Sequence, residues 1–177
     1  MKDARSFEAS VLPLLDSAFN LSRWLLRDDA SAEDAVQEAV LRAMRYFRNL
    51  RGDDARGWFL GIVRNVCFTY LEERAGRKEV AGHEEDALEA FHHAAGLTAE
   101  DPTASLLQQN NDRAHIDAAL RSLTPPLREV LVLREMEGME YAQIAKVASI
   151  PVGTVMSRLS RARARMKELL TLSGARE

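Results

Sequence analysis

The 177-residue chain has a single cysteine, only 6% aromatic residues, and nowhere a run of about 18 apolar residues free of charge. One thiol, Cys67, excludes an internal disulfide and a multi-thiolate metal site, which agrees with a reducing compartment. Residues 1–15, MKDARSFEASVLPLL, lack the sustained apolar stretch and small-residue cleavage site of a secretory signal. With no spanning segment either, the chain is expected in the cytoplasm, with no membrane insertion of its own. No stretch alternates polar and apolar residues for long enough to make a strand, and there is no internal repeat. What is present is 46% hydrophobic and 29% charged, the composition of a folded, soluble chain.

Lysine and arginine are absent from residues 79–112, which carry eight acids, two glycines and a proline. Residues 1–78 carry 13 basic and 12 acidic groups, and residues 113–177 carry 11 and 7. The net charge of −3 therefore hides an alternation of near-neutral, strongly acidic and basic segments. This predicts an all-α chain of two small helical domains, 1–78 and 113–177, joined by a flexible acidic linker with one short helix near residues 86–94.

In the first lobe, Ser31-Ala-Glu-Asp34 has the form of a capping box. Behind it Ala35, Val36, Ala39, Val40, Ala43, Met44 and Phe47 recur at helical spacing, predicting a helix over residues 32–48. An earlier helix is expected over residues 6–27, with Pro13 tolerable only near its start. A third, capped by Asp53 or Asp54, runs to about residue 74. On it Phe59, Val63, Val66, Cys67 and Tyr70 share one face, while Gly61, Arg64, Phe68 and Glu72 share the opposite one. An aromatic beside an arginine suits stacking on an unpaired base with a cation on the backbone; the same spacing also lets Phe68 pack against another helix.

The second lobe opens with Thr124-Pro125, an N-cap and a proline at the first helical position, and Gly138 stops the helix LREVLVLREME. A short helix YAQIAKVA, a turn SIPV and a helix over residues 153–166 come next, the form of a helix-turn-helix. Residues 150–166 hold four arginines and no acid. Val155, Leu159, Ala162 and Met166 fall on the inward side. Ser157, Ser160, Arg161 and Ala164 fall on the outward side, with Thr154 and Met156 at the exposed first turn. Small polar groups and an arginine there can approach base edges, while Arg158, Arg163 and Arg165 flank them toward phosphates.

The segments SAEDAVQEAVLRAMRYF, RGWFLGIVRNVCFTYLEER and LTPPLREVLVLREMEGMEYAQIAKVASIPVGTVMSRLSRARARM, in this order and spacing, resemble bacterial RNA polymerase sigma factors of the extracytoplasmic function (ECF) group of the sigma-70 family. The resemblance covers about residues 8–76, the region 2 lobe, and 113–169, the region 4 lobe. It implies a non-enzymatic subunit, without cofactor or metal, that binds core RNA polymerase at the clamp and flap and directs initiation at promoter DNA. It also implies an anti-sigma factor as partner, and a linker that threads the polymerase cleft; as a bare sequence the linker reads equally as a soluble spacer. By resemblance Asp34, Gln37 and Glu38 contact the polymerase clamp. Trp58, Arg64 and Asn65, with the loop over residues 50–54, capture a base of the minus-10 element, and helical projection adds Phe68. Met156, Ser157 and Arg161 match the positions that read the minus-35 element, flanked by Thr154, Arg158, Ser160 and Arg165.

Two other function classes compete with this one. A free-standing helix-turn-helix regulator predicts operator binding by the chain alone, usually as a dimer. A metal enzyme would need His83, His92 and His93, yet adjacent His92 and His93 cannot both face one ion from a regular helix, and no nucleophile–base–acid set stands out.

The family usually carries lysine or arginine where this chain has Met156. Met156→Arg is expected to tighten promoter binding and steepen its salt dependence by about one charge, and an unchanged slope in a salt-titrated binding assay removes this position from the interface.

Overall fold

A computed structural model describes residues 6–50, 52–81 and 104–174, and among these every regular element is helical. Proline decides the first departure from the sequence expectation. Pro13 has no amide N–H for an α turn, so the single helix expected over residues 6–27 is split. It becomes α1 (Phe7–Val11) and α2 (Leu15–Leu26), joined by a 3₁₀ turn, Leu12–Leu14. Capping decides the second. The helix α3 (Asp29–Tyr46) is capped by Asp28, not Ser31: the Asp28 carboxylate accepts from the Ser31 amide at 2.8 Å and from its hydroxyl. Those two bonds hold the Asp28 carboxyl below its usual range.

Ala35, Ala39 and Ala43 are buried at successive i, i+4 positions of α3, and their small side chains let α2 and α4 come close. Met44, expected in the same stripe, is instead 58% exposed. The helix α4 (Ala55–Ala81) starts at Asp54, whose Oδ1 accepts from the Gly57 amide at 2.8 Å. Its Phe59, Val63, Val66 and Cys67 are fully buried, the face that periodicity assigned to the core.

The second lobe begins with α5 (Ala104–Ser122), which starts inside the segment read as linker. The short helix expected near residues 86–94, and His83, His92 and His93, lie outside the described residues. Thr124 and Pro125 open α6 (Pro125–Leu131) as expected, although the Thr124 side chain makes no capping bond. The helix then widens into a π turn, Val132–Met136, and Gly138 stops it at φ 63°, a conformation glycine adopts without steric cost. A box between Glu140 and Gln143 opens α7 (Tyr141–Ala148), Ser149 closes it at φ 55°, and α8 (Val152–Gly174) comes after the turn.

The two lobes are not separate bodies in this structure. α4 lies against α7 and α2 against α6, so buried side chains of both lobes form one continuous cluster. Gly61 of α4 faces α7: a Cβ there would lie 3.8 Å from the Val147 carbonyl oxygen, in ordinary van der Waals contact.

Core positions set stability here. Leu21→Ala, at a fully buried site, is expected to lower the unfolding free energy by about 2–5 kcal/mol, whereas Leu172→Ala, 62% exposed, should stay within about 0.5 kcal/mol in denaturant melts. Burial pushes the Cys67 thiol up to about 11, well above physiological pH, so the thiolate is scarce in the folded state. Native chain at pH 8 should therefore resist alkylation by iodoacetamide and react once denatured, as read by mass spectrometry.

Candidate nucleic-acid and polymerase interface

The outward face of α8 is built by its entry. Pro151 cannot extend α7, and its carbonyl accepts two amides from the first turn of the new helix, Thr154 at 2.9 Å and Val155 at 3.1 Å. That entry turns Val155, Leu159 and Ala162 fully inward and half-buries Met166, as their spacing predicted. Met156, Ser157, Ser160, Arg161 and Arg165 are exposed, and Thr154 and Arg158 are half-buried at the edge. Ser157 Oγ donates to the Thr154 carbonyl at 3.1 Å and Arg161 Nε to the Ser157 carbonyl at 3.4 Å, so both polar groups lie along the helix. Arg165 pairs with Glu168 at 2.9 Å in solvent, a bond weak enough to exchange for a phosphate. Arg163 is differently employed. It holds Glu135 of the π turn at 2.7 Å and so ties α8 to its own lobe, and this bond raises its affinity for the proton.

The residues expected at the minus-10 element lie together on α4, but at the seam between lobes. Arg64 Nε donates to Glu129 Oε1 of α6 at 2.7 Å, and the guanidinium lies 3.9 Å over the Phe68 ring. Asn65 is exposed and its Oδ1 accepts from Arg64 at 3.2 Å. Trp58 is half-buried, edge-on to Phe47 at 6.2 Å. Trp58, Asn65, Leu50 and Asp54 line one wall of a cleft of about 520 Å³, and Lys146, Val147 and Ser149 of the second lobe line the other. Arg64 and Phe68 thus pair as the helical projection placed them, and Arg64 is at the same time held by Glu129 of the second lobe.

Glu129 is the strained member of this seam. Its side chain is fully buried, burial pushes its carboxyl up while Arg64 and Arg158 pull it down, and Oε2 has no partner among the described residues. An orphaned buried oxygen costs about 1–3 kcal/mol, so the seam closes against a standing penalty. Sequence reading missed this residue because glutamate on a helix reads as solvated.

A second surface lies on α3. Asp34 and Gln37 are exposed, and Leu41 and Met44, each 58% exposed, continue the same stripe at helical spacing. Glu38 is half-buried, held by Arg42 at 2.5 Å and by the Tyr70 hydroxyl at 3.2 Å. The outcome is a polar patch with an apolar end, and the two apolar residues were not legible as surface. A third feature is an open apolar groove of about 680 Å³ on the second lobe, between α5, the π turn and α8, with Leu120, Val132, Met136, Met166 and Leu170 in its wall. Among the described residues no three His, Cys, Asp or Glu side chains gather as a metal site, and no helix is long and apolar enough to cross a membrane.

Comparison with known proteins matches this geometry to a family. The family model described as "Sigma-70 region 2" matches residues 11–77 and that described as "Sigma-70, region 4" matches residues 113–166. The chain is 33% identical over 165 residues to the RNA polymerase sigma-H factor of Pseudomonas aeruginosa, covering 91% of this chain and 84% of that protein. It is 35% identical over 165 residues to the ECF RNA polymerase sigma-E factor of Escherichia coli (strain K12), with the same coverage. The fold is similar to that of the sigma factor RpoE crystallised with the anti-sigma factor NepR from Bartonella quintana, at a TM-score of 0.68 and 25% identity over 93% of this chain and 96% of that one. The two helical lobes, the helix-turn-helix and these relatives together place the chain in the ECF group of sigma-70 family RNA polymerase sigma factors.

Proposed function

We propose that the chain binds core RNA polymerase through α3 and the apolar groove of the second lobe, and directs initiation at promoters read by α4 and α8. The observation that carries this reading is the outward face of α8: small polar residues and Arg161 stand on a helix anchored by Val155, Leu159 and Ala162. That combination lets a helix enter a major groove with base-reading groups foremost and cations toward phosphates. Met156, Ser157 and Arg161 read minus-35 bases, and Thr154, Arg158, Ser160 and Arg165 support them. Trp58, Arg64, Asn65 and Phe68 take the minus-10 element, where a pocket and backbone contacts offset the few kcal/mol or so of extruding a base.

Asp34, Gln37 and Glu38 supply acid and amide groups for arginines of the clamp, and Leu41 and Met44 add apolar area beside them. The groove lined by Leu120, Met136 and Met166 takes the flap. The chain carries out no chemistry of its own, acts in the cytoplasm, and is held in check by an anti-sigma factor.

Run-off transcription with core polymerase and a promoter library tests this reading. Arg161→Ala is expected to lose promoter-specific transcript by about tenfold or more, a loss of about 1–3 kcal/mol per base contact, while core binding in a pull-down stays intact. Leu41→Ala with Met44→Ala is expected to do the reverse, weakening core association without altering the melting temperature. Specific operator binding by the chain without core enzyme would point instead to a free-standing regulator.

A further inference from the structure

Given that α8 reads the minus-35 element, the reading on which this inference rests, its outward face divides into two unlike edges. At about 100° per residue, Arg158, Arg161 and Arg165 fall along one edge. Val152, Met156 and Ser160, each four residues after the last, follow the other. Val152 is 43% exposed and Met156 55%. Between the edges lie Gly153, Ser157 and Ala164, all exposed and all small. A Cβ at Gly153 would meet nothing within 4 Å among the described residues, so the leading turn of the helix stands open.

The cation that would share the Met156 edge is already taken. Seven residues on, Arg163 returns to nearly the same side of the helix, within about 20°. Its Nη2 donates to Glu135 Oε1 at 2.7 Å, and the ion pair turns it back toward its own lobe. Single exposed apolar side chains are ordinary on a protein surface. What marks Val152 and Met156 is their place: one helical turn apart, at the end of α8 that leads into the groove, on the edge away from the unpaired Arg161.

Base edges in the major groove are polar with one exception, the methyl group of thymine. An apolar side chain pressed on a base carbonyl or amino group strips its water and returns no hydrogen bond. Pressed on the methyl group, it buries apolar area on both partners. The unbranched thioether of methionine adapts to such a contact without exact placement.

We propose that Met156, with Val152 beside it, packs on the 5-methyl group of a thymine in the minus-35 element and so selects T at one position of that element. Arg161, on the opposite edge, takes guanine or phosphate oxygens. Met156→Arg therefore gains a charge and loses a choice: it binds more tightly and no longer distinguishes thymine from uracil.

The test uses the full chain with core polymerase and duplexes of a promoter recovered from the library. Each thymine of the minus-35 element is replaced in turn by deoxyuridine, which removes the methyl group and leaves base pairing unchanged. At one position the parental holoenzyme is expected to bind about fourfold more weakly, the worth of one buried methyl-sized group. Met156→Ala, at an exposed site, is expected to lose about as much on the thymine duplex and to bind thymine and uracil alike at that position. With a C·G pair placed there, the parental holoenzyme should prefer 5-methylcytosine to cytosine by a similar factor, and Met156→Ala should not.

A recovered element without thymine, or parental binding indifferent to every methyl group, overturns the proposal. A uracil effect that persists in Met156→Ala assigns the methyl group to another residue and overturns it as well. Scrambling the minus-35 element separates the two levels. If scrambling leaves binding unchanged, the reading of α8 falls and this inference with it. If scrambling abolishes binding while every methyl group is silent, this inference alone falls.

Discussion

Arg128 holds the arrangement together. Its side chain is buried, and its five N–H groups meet five backbone carbonyls: Nε donates to Leu120, Nη1 to Trp24 and Leu25, and Nη2 to Arg121 and Leu123. Four of these carbonyls belong to the ends of two helices, α2 in the first lobe and α5 in the second, where a helix leaves its last acceptors unsatisfied and its dipole favours a cation; the fifth, of Leu123, comes directly after α5. One guanidinium therefore terminates a helix from each lobe. Burial, with Arg27 and Arg121 nearby, pushes its proton affinity down to about 9. At neutral pH it stays cationic, and its stabilisation is geometric, since all five donors of a planar fork are used at once.

From that anchor the neighbouring residue acquires its position. Glu129 comes directly after Arg128 on α6 and is delivered into the seam, where Arg64 is its ion-pair partner. A buried pair of this kind contributes little net stability, because desolvation consumes most of the attraction, yet leaving either partner alone is costly. Such a contact selects which surfaces meet more than it strengthens their meeting. It also places two roles on one helix: α4 packs its lobe through Phe59, Val63 and Val66, and it presents Arg64 and Phe68 on the other side.

Much of this was legible in the sequence, for a definite reason. Inward faces of α4 and α8 are set by the 3.6-residue period, since a helix crossing a core must hide the residues that recur on one side. Gly138 and the Thr124-Pro125 start reflect backbone chemistry that acts within a few residues. The boundary at Pro13 and the cap at Asp28 were misplaced by a turn or less, within the range of local competition between nearby breakers and caps. Met44 was misread because the alanines of α3 already satisfy their neighbours, leaving the edge of the stripe uncovered. The seam was not legible at all. Arg128 and Trp24, or Arg64 and Glu129, are far apart in the chain, and no periodicity records which charged residue will be enclosed by a distant helix.

The π turn of Val132–Met136 carries one residue more than an α turn would, with the Glu137 amide donating to the Val132 carbonyl at 3.1 Å. The two acids beside it reach different partners: Glu135 faces Arg163 of α8, and Glu137 faces Arg56 of α4. Removing one residue would rotate the downstream chain by about 100°, the angular step of an α-helix. Loop length at this point, more than the identity of any side chain in it, thus governs whether the helix-turn-helix is tethered to its sister lobe or turned away from it.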